Sequence, residues 1–204
     1  MACVSCEGIG FSENSIYKEL GLSFKGVVNA SKVEDKDALY SAIKSGLEKG
    51  EDVYIRSDNI TSDELEVSIK KVYEQYGYSG YIHSFKHVQI GDLYYIQFIY
   101  TESKDEYLRK TKIVKEKVNE IIKSIIKPEW NNFEKELAIH DYIINNTAYD
   151  YKNYKNKTIP NDDNIAYGVL VNKTAICGGY SEAMYRLLTA AGIESKVVFG
   201  DSEG

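Results

Sequence analysis

A single cysteine, Cys177, stands at the mouth of what reads as an amphipathic helix. Thr174-Ala175-Ile176-Cys177-Gly178-Gly179-Tyr180-Ser181-Glu182 runs straight into Ala183-Met184-Tyr185-Arg186-Leu187-Leu188. A thiol is a strong nucleophile only as its thiolate, and a helix N-terminus favours negative charge. Gly178 and Gly179 fall in the first turn, where a fully helical glycine costs up to about 1 kcal/mol relative to alanine. That cost is understandable if the backbone must leave room for a substrate to approach the sulfur. The free amides of such a turn can also hold an oxyanion forming beside it. The plain alternative is a cysteine that fills the core as a small hydrophobe. Spacing alone leaves both readings open.

Other candidates are weaker. His140-Asp141 offers an imidazole as general base for the thiol. Yet His140 falls in line with Phe133, Leu137 and Ile144, which predicts a histidine with a structural place in the core. Sequence neighbours on a helix do not face each other, so His140 and Asp141 are not read as a dyad. His83 and His87 are four residues apart; on a strand that spacing separates them by about 13 Å, too far for one ion, and predicts a solvated strand face. Cys3 and Cys6 form a C-x-x-C, but no further thiol or imidazole pair with zinc spacing accompanies them. A frayed terminal pair or a small local disulfide is the expectation there, with redox or metal work as a third reading of the chain.

Composition bounds the rest. The chain has 204 residues, 43% hydrophobic and 27% charged, enough for a globular core and one or two domains. A net charge of -6 argues against nucleic acid as a partner, which calls for a basic face. Eighteen tyrosines against one tryptophan and two prolines hint at a surface that lines a peptide or sugar groove. No run approaches the roughly 20 apolar residues of a membrane span. The start, MACVSCEGIGFSEN, lacks a basic stretch followed by a long apolar one, so no signal peptide is read.

The elements that must position Cys177 follow from periodicity. Asp35 to Glu48 reads as a helix with Leu39, Ile43 and Leu47 on one face and Gly50 as its stop. Asp52 to Arg56 is a short strand. Thr61-Ser62-Asp63-Glu64 is a capping box opening a helix with the stripe Leu65, Ile69, Val72, Tyr73 and Tyr76. Gly91-Asp92 turns a hairpin within Gly80 to Tyr100, placing Tyr94, Ile96, Phe98 and Tyr100 on one face. A second capping box, Ser103 with Glu106, starts a long helix carrying Val114, Val118, Ile121, Ile122 and Ile125, ended by Lys127-Pro128. Asn132 would cap the next helix, with Phe133, Leu137, His140 and Ile144 inward. A polar loop, Ala148 to Asn164, holds Tyr149, Tyr151 and Tyr154. The Cys177 helix buries Ala183, Met184, Leu187, Leu188 and Ala191 and stops at Gly192. Lys196-Val197-Val198-Phe199 reads as the first strand of a sheet.

Residues Phe133 to Gly200 resemble the transglutaminase-like superfamily of papain-type folds, in its bacterial branch. Four ordered elements carry the resemblance: Ile139-His140-Asp141-Tyr142-Ile143 with Asn146-Thr147-Ala148-Tyr149-Asp150; Ala166-Tyr167-Gly168-Val169-Leu170; Ala175-Ile176-Cys177-Gly178-Gly179-Tyr180-Ser181; and Ala191-Gly192-Ile193 with Val197-Val198-Phe199-Gly200. They cover about a third of the chain. The resemblance implies a Cys-His-Asp triad with Cys177 as nucleophile and no cofactor or metal. It sets Gly178, Gly179 and Tyr167 where an oxyanion or substrate would approach, and gives His140 and Asp141 a structural role. The family's histidine and aspartate sit on the sheet that follows, and so are expected beyond Gly204; this chain alone should turn over poorly.

The expected fold class is therefore α+β. A tail, 1–32, precedes a small α/β domain, 33–103, and a partial transglutaminase-like domain, 104–204, cut at the first strand of its sheet. The expected activity is acyl transfer through a thioester on Cys177, with a protein or peptide as substrate. The alternative is a non-catalytic module that binds a peptide or cell-wall polymer. An open strand at 196–199 predicts self-association. The family implies the cell envelope or exterior for the parent protein.

Overall fold

Asp35 ends an extended stretch and accepts the amide of Ala38, and Leu39, Ile43 and Leu47 follow at helical spacing; together they define α1, Lys36–Lys49. Gly50 adopts φ +62° and closes the helix by donating to Gly46 and Leu47. The computed structural model describes residues 26–199 apart from Val28, so Cys3, Cys6 and Gly200 lie outside the described residues. Thr61 and Glu64 form the expected reciprocal box at the start of α2, Ser62–Gln75. Leu65, Ile69 and Val72 are buried there, while Tyr73 and Tyr76 pack at the margin.

Both helices lie against a four-stranded sheet of order β1-β2-β4-β3. Its strands are β1, Ser31–Lys32; β2, Val53–Arg56; β3, Ile82–Ile90; and β4, Leu93–Tyr100. β1 runs parallel to β2, and the other pairs are antiparallel. The hairpin turns at Gly91-Asp92, setting Ile90 opposite Leu93. Tyr94, Ile96 and Phe98 point into the first apolar cluster, while Leu93 and Tyr95 face the other side with Val27. This is the period-2 pattern of a two-faced strand. The β3 register shifts between Ile82 and Ser84, and β3 packs on α2. His83 is exposed, as expected, whereas His87 is half-buried and hydrogen-bonded to Glu66 at 2.8 Å.

A long helix, α3, Lys104–Ile125, leads to the second cluster. Ser103 caps it by accepting Glu106 N–H, but the box is only half formed. The Glu106 carboxylate is drawn away by two bonds from Arg109, at 2.7 and 2.6 Å. Val114, Val118 and Ile121 of α3 are buried against α4, Asn132–Asn146, and α6, Cys177–Ala190. Between these helices come β5, Ala148–Tyr149; α5, Tyr151–Asn156; a 3-10 turn, Asn161–Asn164; a π-helical turn, Gly168–Asn172; and β6, Thr174–Ala175. The architecture is mixed α+β.

Four expectations give way here. Asn131, not Asn132, caps α4, in a reciprocal box with Glu134. The face of α4 is also rotated: Ile139 and Ile143 are buried, while Phe133 and Leu137 are 73% and 49% exposed and His140 is exposed with them. Two apolar stripes coexist on this helix, and packing against α3 and α6 selects the other one. The segment 148–164 is no plain loop, since it folds into short elements capped by Asp150 and tied to β6. Finally, Lys196–Phe199 forms no strand. A β-rich run needs a ladder to pair with. Among the described residues only Val197 N–H of this run finds a backbone acceptor, Gln75 at 3.3 Å, and Val198 is 88% exposed.

Candidate active site

β6 is the element that delivers Cys177. It pairs in parallel with β5, Ala148 opposite Thr174 and Tyr149 opposite Ala175. Ala148 N–H bonds to Lys173 and Asp150 N–H to Ala175, each at 2.9 Å. Lys173, which ends the π-helical turn, adopts φ +63°, a conformation that costs a non-glycine residue on the order of 1 kcal/mol. Ile176 then becomes the N-cap of α6 without offering a side-chain cap, and Cys177 is the first helical residue. Its thiol is free and exposed. That removes the reading of Cys177 as a buried core filler.

The amides at the head of α6 are left for other partners by this missing cap. The Tyr149 hydroxyl lies beside the Cys177 backbone amide. Burial first, then the neighbouring Cys177, pushes Tyr149 above the ordinary tyrosine range. The Tyr149 ring lies 6.0 Å from Tyr154 and 6.2 Å from Tyr180, so three tyrosines wall the thiol's side of the molecule. Tyr180 is fixed by donating to Thr147 O at 2.9 Å. Tyr149 is partly exposed, and Tyr151 and Tyr154 are exposed beside it.

The glycine pair has a reason that spacing did not suggest. A Cβ on Gly179 would stand 2.5 Å from Asp163 O and 3.0 Å from Ile165 O. One on Gly178 would stand 3.1 Å from Asn164 O. The close approach at Gly179 is to the chain's own 3-10 turn, which lets α6 sit down on that turn. Tyr167 packs against both apolar clusters, with Arg109 and Lys110 each 5.6 Å from its ring.

Behind the exposed thiol, α6 is anchored by charge. Glu182 is buried, accepts Ala166 N–H at 2.8 Å and pairs with Arg186. Arg186 reaches on to Gly77 O at 3.2 Å and lies over the rings of Tyr78 and Tyr81. The i, i+4 spacing of Glu182 and Arg186 would pass for a surface pair in the sequence. Lys110 of α3 is likewise buried and bridges Glu102 to Asp162 on the 3-10 turn.

His140 is neither a core histidine nor isolated from its neighbour. It is exposed, and its Nδ1 meets Asp141 Oδ1 at 3.1 Å, because two outward side chains can reach across one step at the helix surface. Among the described residues no histidine hydrogen-bonds Cys177, and no group of three or more His, Cys, Asp or Glu could hold a metal ion. No helix among them is long and apolar enough to cross a membrane.

Residues 119–204 match the family model of the transglutaminase-like superfamily. The match covers less than half of the chain and makes this segment similar to that superfamily. No curated protein matches the chain. The transglutaminase-like segment spans Cys177, Gly178, Gly179, Tyr167, His140 and Asp141, and the family is one of cysteine-based acyl transfer and proteolysis.

Proposed function

We propose that the transglutaminase-like segment carries the nucleophile of an acyl-transfer site. The Cys177 sulfur would attack an amide or peptide carbonyl, forming a C–S bond as the C–N bond breaks. The thiol proton leaves with the amine through a general base, and water or a second amine then takes the acyl group. The observation that carries this reading is an exposed thiol on the first residue of a helix whose head has no side-chain cap. Helix-mouth amides suit an oxyanion. The Tyr149 hydroxyl lies beside one of them, at Cys177, and marks where such an oxygen would come to rest.

The wall of Tyr149, Tyr154 and Tyr180 suits a peptide laid beside the thiol. None of the histidines among the described residues hydrogen-bonds Cys177, and His140 and His87 are engaged with Asp141 and Glu66, so this reading takes the base from elsewhere. Labelling with a peptidyl vinyl sulfone, mapped by mass spectrometry, tests the reading. Cys177 should react at least about tenfold faster than with a non-peptidyl vinyl sulfone of equal reactivity, since binding energy orients the electrophile. Equal rates, or labelling spread evenly over Cys3, Cys6 and Cys177, would sink it.

A further inference from the structure

Asp163 is only 4% exposed, and its Oδ2 has no hydrogen-bond partner among the described residues. What it meets instead is the carboxyl of Asp150. Two carboxylates repel, and they can hydrogen-bond only if one of them keeps a proton. Asp150 already accepts Asn153 N–H at 3.0 Å and Asn153 Nδ2 at 2.6 Å, which favours its anion. Of the two, Asp163 is thus the one that favours holding a proton.

The placement of this pair gives it consequence. Asp150 N–H donates to Ala175 O, and Asp163 O accepts Ile176 N–H, both at 2.9 Å. The two residues thus hold the strand that ends in Cys177 from opposite sides. We propose that Asp150 and Asp163 share a single proton, and that this shared proton clamps residues 174–176 and positions Cys177. They are positioning residues, and the proposal holds whether or not Cys177 turns over a substrate.

The other charges acting on the pair are Asp162, on the same turn, and Lys152 on α5. The Asp162 carboxylate is itself taken up by Lys110 of α3 and Asn172 of the π-helical turn. β6 and α6 meet the pair with backbone, through Ala175, Ile176 and Gly179. Burial, then the Asp150 carboxyl, raises Asp163 to about 6. The Asn153 donors hold Asp150 below its usual range. A raised carboxyl contributes stability that is complete below its unfolded value of about 3.9 and is lost as pH rises through the folded one. Asp150 contributes above that unfolded value and loses its share as pH falls. The clamp is therefore tightest near pH 4, loosens as pH rises towards about 6 and is open by neutrality.

Native-state hydrogen exchange at the Asp150 and Ile176 amides tests this between pH 5 and pH 7.5. In the wild type these amides should gain up to about tenfold in exchange by pH 7.5 beyond the base-catalysed rise that all amides share. Asp163→Asn, whose amide can donate to Asp150 at any pH, should lose that excess. Should Asp163→Asn fail to fold, Asp150→Asn puts a donor opposite the Asp163 carboxylate and should also lose it. An excess that survives in the substituted protein, or none in the wild type, would overturn the shared proton.

Discussion

The region from β1 to β4 and the region from α4 to α6 solve the same problem by different means. The first closes over a cluster in which Leu39, Ile43, Leu47, Ile55, Leu65, Ile69, Tyr94 and Ile96 are all but fully buried. Its helices begin with side-chain caps, at Asp35 and Thr61, and its strands alternate. The second also has an apolar cluster, but buried polar groups run through its framework: Glu182 with Arg186, Lys110 with Asp162, Asp150 with Asp163. It leaves α6 without a side-chain cap and leaves Phe133, Leu137 and Ile144 in water. A region built on area burial has no need of such groups. One that must hold an exposed thiol at a helix mouth needs fixed backbone around it, and polar contacts fix position more sharply than apolar ones.

The sharpest break of that contrast is Glu182→Ala. It strands Arg186 in the interior and leaves Ala166 N–H without its acceptor. Removing one partner of a buried ion pair costs about 3–5 kcal/mol. Urea unfolding should show a loss of that order. A loss near zero would mean that apolar packing carries the second region as it does the first.

Next in size is Gly179→Ala. The new methyl would lie 2.5 Å from Asp163 O, a backbone atom that cannot rotate aside. Overpacking of this kind costs about 1–3 kcal/mol. The same substitution should change the alkylation rate of Cys177, read by mass spectrometry, because α6 can make room only by lifting from the 3-10 turn. An unchanged rate with unchanged stability would return Gly179 to the role of leaving space for a substrate.

These two regions were also unequally legible in the sequence. Caps, a Gly-Asp turn and clean periods of 3.6 and 2 placed α1, α2 and the β3–β4 hairpin to within a residue or so. Around Cys177 the ordered motif showed the family and the helix mouth. It could not show the Asp150–Asp163 contact or the burial of Glu182, because each depends on segments that meet only in the fold. The reading of 196–199 as a strand failed for the same reason, since Val197, Val198 and Phe199 have the propensity but no ladder. Local chemistry was readable; long-range polar contacts were not.

Helix α4 gives the finest test, because its sequence supports two faces equally well. Phe133, Leu137, His140 and Ile144 form one stripe; Ile139, Tyr142 and Ile143 form the other. The second is chosen, with Ile139 wholly buried and Leu137 49% exposed. Ile139→Ala should then cost about 2–5 kcal/mol, the range for a large-to-small change in a packed core. Leu137→Ala, a nearly identical loss of side chain on the same helix, should move stability by no more than about 0.5 kcal/mol. Chemical denaturation of the two variants side by side reads the difference directly, since helix propensity is matched to within a few tenths of a kcal/mol. If the order reversed, α4 would be rotated by roughly 160°, because two steps of about 100° between positions 137 and 139 make about 200°, or about 160° the other way round. His140 would then turn inward and the second cluster would have to be redrawn around it.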